Sequence, residues 1–330
     1  TWKAVGAASE ELVMLEGQGI RFTGWTEDDY PSMLQECEDA PVGLYVRSDT
    51  PMNELWKPCR RIAVVGTRDI SPYGREWCVR AVSGLSRCKE KPVIVSGLAL
   101  GTDFCAHKAA LESGLATIGV MATGPETIYP HRHREFAERL CHTPGCALVT
   151  DYPPGTAPLA VHFLRRNRII AGLSDSTILI ESKIKGGGMM TCRLAFSYSR
   201  DVYALPGRAD DLRSQGCNNL IKNKIAEPLI SIEDLTESLG LNRIGSRNRS
   251  SVRDTVISEY GSRLSPEKAE LAIRLLTMIK EERGITVEEL SENSGMSYSI
   301  TANITAMLET DGFISIDLLQ RCFIMVEKFR

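Results

Sequence analysis

The chain has 330 residues, of which 43% are apolar and 25% charged, and a formal net charge of −3 at pH 7. That size and balance suit a globular protein of two or three domains with a substantial core, and they exclude a molecule coated in positive charge, so any polyanion site must be local. No apolar run approaches the roughly 18 to 20 residues of a membrane span, and no basic stretch followed by an apolar one opens the chain, so a cytoplasmic setting is expected.

The chain opens at Thr1 rather than Met, and an upstream segment is expected to have been removed. Residues 8–17 carry Leu12, Val13 and Leu15 and read as a short helix, and residues 20–22 as a short strand. Residues 28–46 place Tyr30, Pro31, Leu34, Ala40, Pro41, Leu44 and Tyr45 close together, so residues 1–57 are expected to form a small appendage packed on the domain that begins at residue 58.

Residues 58–240 alternate short apolar runs with helical stretches. The runs 62–65, 93–95, 117–121, 147–149, 177–180 and 201–205 read as strands, most of them leading into glycine or polar turns. Nearly continuous apolar strands alternating with helices predict an α/β fold, a doubly wound parallel sheet with helices on both faces. In such a sheet the carboxyl ends of the strands form one rim, where ligands bind. Gly66, Gly97, Gly101 and the run Gly186, Gly187, Gly188 all fall on that rim, beside Arg68, Lys183 and Lys185. Glycine there lets the backbone approach a ligand, and the amides of the following helix favour an anion. None of these loops is the G-x-G-x-x-G dinucleotide fingerprint, and no GK[ST] follows a glycine loop.

The segment FLRRNRIIAGLS, residues 163–174, sets Arg165, Arg166 and Arg168 around Asn167 behind Phe163. On a helix Arg165 and Arg168 share a face while Arg166 points about 100° away, so the cluster offers planar donors to more than one anion, as a nucleic-acid backbone requires. The competing reading pairs the arginines with neighbouring carboxylates. Asp103 and His107 form D-x-x-x-H on one helical face and read as structural, Asp103 capping the helix and His107 anchoring a turn, rather than as an acid and base. The ten cysteines contain no C-x-x-C pair; Cys141, His142 and Cys146 are the nearest approach to a zinc site and lack a fourth ligand, so buried thiols and no metal or other cofactor are expected.

The runs AVVGTR, SGLALGTDFCAHKAAL, IYP, FLRRNRIIAGLS, ALPG and QGCNNLI, in this order, resemble the DNA-processing protein A (DprA/Smf) family over roughly residues 28–221. The resemblance implies an extended Rossmann fold and non-catalytic binding and protection of single-stranded DNA. It further implies a homodimer through the Rossmann domain, and delivery of the strand to a RecA-type recombinase in DNA uptake, natural transformation and recombination. Carried over by position, it implies DNA contacts by Gly66, Thr67 and Arg68 of the first glycine turn. It implies the same for Ser96, Gly97, Leu98 and Gly101 of the second, for Phe163, Arg165, Arg166, Asn167 and Arg168 of the F-P-x-R-N-R signature, and for Lys185, Gly186 and Gly187. Leu164 stands where the family has proline. Arg166 holds the arginine position and Arg165 the variable one, and which of the two makes the main phosphate contact is left open. Rossmann proteins that cleave nucleotide N-glycosidic bonds place a carboxylate near such loops, and Glu181 is the candidate for that alternative.

Residues 241–264 are rich in Ser, Asn and Arg and read as a linker, whose Arg243, Arg247, Arg249 and Arg253 touch DNA loosely at most. Residues 265–330 show helix, helix, a turn at Gly295 and Met296, a further helix and two short strands, the order of a winged helix. That segment carries 7 Lys/Arg against 11 Asp/Glu, and residues 297–308 contain neither Lys nor Arg. The charge argues against duplex binding and for a protein-contact module, with Tyr298, Asn303 and Met307 as its exposed candidates.

Overall fold

The computed structural model describes residues 2–57, 59–241, 256–257, 259–260, 264–282, 284–317 and 319–325. The chain divides into two compact units, Thr1–Asn242 and Arg243–Arg330.

The first unit is built on one nine-stranded sheet. In chain order its strands are β1 (Ile20–Gly24), β2 (Gly43–Arg47), β3 (Arg61–Val65), β4 (Val93–Gly97), β5 (Thr117–Val120), β6 (Ala147–Thr150), β7 (Ser176–Leu179), β8 (Asp201–Ala204) and β9 (Glu227–Pro228). Their spatial order is β1-β2-β6-β5-β4-β3-β7-β8-β9. From β6 to β9 every pairing is parallel. The expected parallel sheet is therefore extended by an antiparallel edge, because β1 pairs antiparallel with β2 and β2 with β6. Residues 1–57, expected as an appendage, thus supply two strands of the main sheet. The sequence of β2 fits that place: Leu44 and Val46 are buried while Gly43, Tyr45 and Arg47 are half-buried, the alternation of a strand near the edge of a sheet.

The central strand β3 is buried at all five residues, and its alternate side chains enter different cores. Ala63 and Val65 pack with Ile169, Ile170, Met189 and Cys192, from α7 (Ala160–Gly172) and α8 (Gly187–Ser197). Ile62 and Val64 pack with Cys78, Val82, Leu85 and Ala106, from α4 (Pro72–Leu85) and α5 (Thr102–Glu112). Helices therefore cover both faces, as a doubly wound sheet requires. The order reverses between β3 and β7: the chain runs outward from β3 through β4, β5 and β6, then crosses back to β7 and runs the other way. That reversal is the topological switch point, where the loops after β3 and β7 diverge and leave a crevice.

The remaining helices of this unit are α1 (Trp2–Gly17), α2 (Ser32–Gln35), α3 (Met52–Leu55), α6 (Arg134–Cys141), α9 (Gln215–Lys222) and α10 (Ile232–Ser238). The zinc candidates do not converge. Cys141 and Cys146 are buried with their neighbours, while His142 Nδ1 lies 2.9 Å from Asp49, and no group of three metal-ligating side chains occurs among the described residues.

The second unit contains α11 (Pro266–Glu281), α12 (Val287–Ser294), α13 (Tyr298–Thr310) and an antiparallel pair, β10 (Ile314–Ile316) with β11 (Cys322–Ile324). Helix α12 starts in a capping box between Thr286 and Glu289 and stops at Gly295, which is left-handed at φ 68°. Tyr298 and Asn303 are exposed, whereas Met307 is half-buried against the core of this unit. The arginines of the expected linker lie outside the described residues, but Val256 and Tyr260 at its end are buried among Leu275, Leu308 and Phe313. Two apolar side chains four apart gain more from that core than from solvent.

Candidate nucleic-acid interface

At the switch point lies a pocket of about 610 Å³. Its walls come from the turn after β3 (Gly66, Thr67, Arg68), the first turns of α7 (Phe163, Leu164, Arg166, Asn167), and the loop from β7 into α8 (Ser182, Lys183, Lys185, Gly186, Gly187). Tyr129 closes one side.

The local reasons are visible in the backbone. Gly101, at φ 75°, precedes α5, and a Cβ there would stand 2.4 Å from the Thr67 carbonyl and 2.5 Å from that of Arg68. The turn after β3 rests directly on it and is tied down where Thr102 donates its amide and hydroxyl to the Thr67 carbonyl, at 3.0 and 3.1 Å. Gly66 and Gly188 approach so closely that a Cβ on Gly188 would lie 3.3 Å from the Gly66 Cα, which brings the start of α8 against the β3 turn. Helix α8 has no side-chain cap, and Gly186, Gly187 and Gly188 at its start line the pocket, a helix amino end of the kind that favours an anion. The β7 loop is clamped from behind: Ser182 donates its amide to Arg213, and the Gly216 amide returns to Ser182.

The three arginines of the signature point three ways. Arg165 is exposed and lies outside the pocket lining. Arg166, expected to face phosphate, is 4% exposed; its guanidinium donates to the Val120 carbonyl and sits beside the Asp103 carboxylate. Both groups occupy the space over Gly97, where a Cβ would lie 2.5 Å from the Arg166 guanidinium and 2.6 Å from Asp103. Arg168 turns away from the pocket. It donates to Asp151 at 2.5 Å and to the Asp39 carbonyl at 2.5 Å. For Arg168 the carboxylate-pairing alternative is the observed one, while Arg166 and its neighbours brace the pocket floor.

The second glycine turn is likewise a support. Ser96 and Leu98 are buried, the Ser96 hydroxyl donates to the Val64 carbonyl, and neither Gly97 nor Gly101 lines the pocket. These four positions lie behind the pocket lining, with the amino end of α5 packed over the turn. Asp103 is held by Ser96 and by the Ala99 amide, and burial pushes its carboxyl up to about 6 against the pull of Arg166. His107 donates Nε2–H to the Gly97 carbonyl at 3.0 Å, lies 2.7 Å from the Thr117 hydroxyl, and is pushed down to about 4 by burial. Asp103 therefore lines the pocket rather than capping α5, whose N-cap Gly101 has no side-chain cap, while His107 anchors the end of β4 through Gly97. Glu181 is also spent. It is 1% exposed, accepts the Ser71 amide at 2.9 Å and hydroxyl at 2.5 Å at the start of α4, and is absent from the pocket lining.

What faces the pocket is different in kind. Arg68, Lys183 and Lys185 are exposed and form no ion pair among the described residues. The Arg68 guanidinium lies 5.4 Å over the Phe163 ring, whose other neighbour is the edge of Tyr129 at 5.4 Å. Tyr129 is 47% and Leu164 46% exposed, so the α7 side of the pocket is an apolar and aromatic ledge and the α8 side is cationic. Of the residues carried over from the signature motifs, Gly66, Thr67, Arg68, Phe163, Arg166, Asn167, Lys185, Gly186 and Gly187 are brought together here. Tyr129 also lines the pocket and is not among the residues expected there from sequence. Its only signal was the IYP run, read as motif rather than as surface.

A model of DNA recombination-mediator protein A matches residues 21–240. The chain belongs to the DNA recombination-mediator protein A (DprA/Smf) family. It is 39% identical over 196 residues to the DNA processing protein DprA of Streptococcus pneumoniae, covering 59% of this chain and 66% of that one. To DprA of Bacillus subtilis it is 35% identical over 230 residues, covering 69% and 74%. Against protein Smf of Escherichia coli the figures are 37% over 209 residues, 62% and 54%, so the chain spans between half and three quarters of these relatives. The X-ray structure of the S. pneumoniae family member superposes with a TM-score of 0.63 at 34% identity, over 73% of this chain and 78% of that chain. A solved structure of DNA processing protein A from Helicobacter pylori, concerned with that protein's single-stranded DNA binding mode, superposes with a TM-score of 0.58 at 28% identity, over 66% and 95%.

Proposed function

We propose that this chain binds and protects single-stranded DNA in the switch-point pocket without chemical turnover, and passes the strand to a RecA-type recombinase during DNA uptake and recombination. The observation that carries this reading is the pairing of two walls: exposed Lys183 and Lys185 beside the start of α8 on one side, and Phe163, Tyr129 and Leu164 on the other, with the Arg68 guanidinium lying over the Phe163 ring. Single strands require a cationic track for phosphates and a face on which bases stack, each stack contributing roughly 1 to 3 kcal/mol. Neither wall reads base edges, so sequence preference is weak. The single-strand binding described for the H. pylori relative supports the same assignment here.

The hydrolase alternative needs a carboxylate free to act on the sugar. Glu181 faces Ser71, and Asp103, which does line the pocket, is engaged by Ser96, the Ala99 amide and Arg166, which favours binding over catalysis. The recombinase partner, the homodimer and the cytoplasmic setting come from family membership. Among the described residues no helix is long and apolar enough to cross a membrane.

The test is a titration with oligo-dT and with duplex of equal length at several salt concentrations. Three phosphate contacts predict a log–log salt slope near −2.1, or about 18-fold weaker single-strand binding at 200 mM than at 50 mM salt. Arg68→Gln and Lys185→Gln each remove about 0.7 from that slope. Binding that prefers the duplex, or is indifferent to these substitutions, overturns the reading.

A further inference from the structure

We propose that the strand leaves the pocket over Tyr129 and is met by a second cationic station, Arg132 and Arg134, so that the DNA path continues past the switch point onto the start of α6. The inference rests on the pocket being the single-strand site.

Three observations carry it. Tyr129 lines the pocket and is 47% exposed, and the chain turns from it within three residues into the 3-10 turn His131–His133 and then α6. That turn is anchored by its last side chain. His133 is 5% exposed, its ring stacks on Phe104 at 4.1 Å and 14°, and its Nδ1 donates to the Leu98 carbonyl at 2.9 Å. With His133 pinned inward, Arg132 and Arg134 on either side of it are both exposed, and neither forms an ion pair among the described residues. The nearby Glu138 is engaged by Arg47 at 2.7 Å, which leaves Glu135 as the only other carboxylate of α6.

Distance fits a continuous path. Three residues of extended chain span at most about 11 Å, or roughly three nucleotides at the 3.4 Å strand spacing of B-form DNA. Lys183 and Lys185 on the far wall and Arg132 and Arg134 beyond Tyr129 would then bracket the ledge, with phosphates held on both sides of the stacked bases.

The experiment uses the full chain with Arg132→Gln and Arg134→Gln combined, titrated with dT5 and dT25 over 50 to 200 mM salt, with Arg68→Gln in parallel. The expected result is that the double variant binds dT5 as the parent does, while its slope on dT25 falls by about 1.4. Across that salt range the parent then loses about sevenfold more affinity for dT25 than the variant loses. An unchanged slope on dT25, or an equal loss on both lengths, overturns the second station. If Arg68→Gln also binds dT5 like the parent, the pocket assignment itself has failed; if only Arg68→Gln is impaired, the pocket stands and this extension of it does not.

Discussion

Replacing Arg168 with alanine separates positioning from contact within a motif that sequence reads as one basic cluster. The Arg168 side chain is 20% exposed and Asp151 13%, and their 2.5 Å bond joins α7 to the end of β6, while the second bond of Arg168 reaches the Asp39 carbonyl before β2. Tyr198 donates to the same Asp39, so this segment is held from two helices. Removing one partner of so enclosed a pair leaves Asp151, already raised in pKa by burial, without its main compensating charge. The expected cost is roughly 3 kcal/mol of stability. Because α7 carries Phe163, Leu164 and Arg166 into the pocket, oligo-dT affinity falls as well. The number of phosphates neutralised does not change, so the salt slope stays at the parental value, whereas a lost phosphate contact lowers it by about 0.7. Urea denaturation and a salt-dependent titration measure both quantities, and Asp151→Asn should reproduce the pattern. An Arg168→Ala variant with parental stability and a shallower slope would refute the positioning role.

Gly97→Ala sets a methyl between Arg166 and Asp103, so it should destabilise by about 1 to 3 kcal/mol and weaken oligo-dT binding, measured by urea denaturation and titration. Glu181→Gln gives the Ser71 donors an amide group in place of one carboxylate oxygen; a loss of about 1 to 3 kcal/mol is expected with single-strand affinity retained, and base release that depends on Glu181 would revive the hydrolase. Asp103 has a folded pKa near 6, above its ordinary 3.8, so its contribution is fully present below 3.8 and is lost as pH rises through 6; His107, lowered to about 4, loses its contribution as pH falls from 6.5 through 4. The two trends oppose each other between pH 4 and 6. Asp103→Asn removes the first, and the variant should lose about 1.4 kcal/mol more than the parent between pH 7 and pH 5, read from urea midpoints. A chain ending at Asn242 should bind oligo-dT within about twofold of the full chain, since α13 carries no Lys or Arg to neutralise a phosphate.

Much of the sheet was legible because a parallel strand buried on both faces reads as a mostly apolar run, and β3 to β8 are such runs, broken only by residues such as Arg61, Ser96 and Asp201. The antiparallel edge was not, since β2 reads only as a short alternating segment among prolines, and its partner β6 lies far along the chain, with Tyr45 opposite Thr150. The rim glycines were found for a sound reason, close backbone approach. Whether the approaching atom belongs to a ligand or to the protein is not a local property, and at Gly97 and Gly101 it is Arg166, Asp103 and the Thr67 carbonyl.

The sequence by itself determined the alternation of strands and helices, the rim to which the glycine turns come, the family, and the absence of Lys and Arg from α13. Those are consequences of periodicity, composition and motif order. Only the tertiary structure decided the partners of the charges. Arg165, Arg166 and Arg168 are equivalent in sequence, yet one faces solvent, one is buried under Val120 and one is held by Asp151, because a helix turns 100° per residue and each direction meets a different part of the fold. The cations left facing the pocket, Arg68, Lys183 and Lys185, stand on loops that open at the switch point after β3 and β7, and none of them forms an ion pair among the described residues.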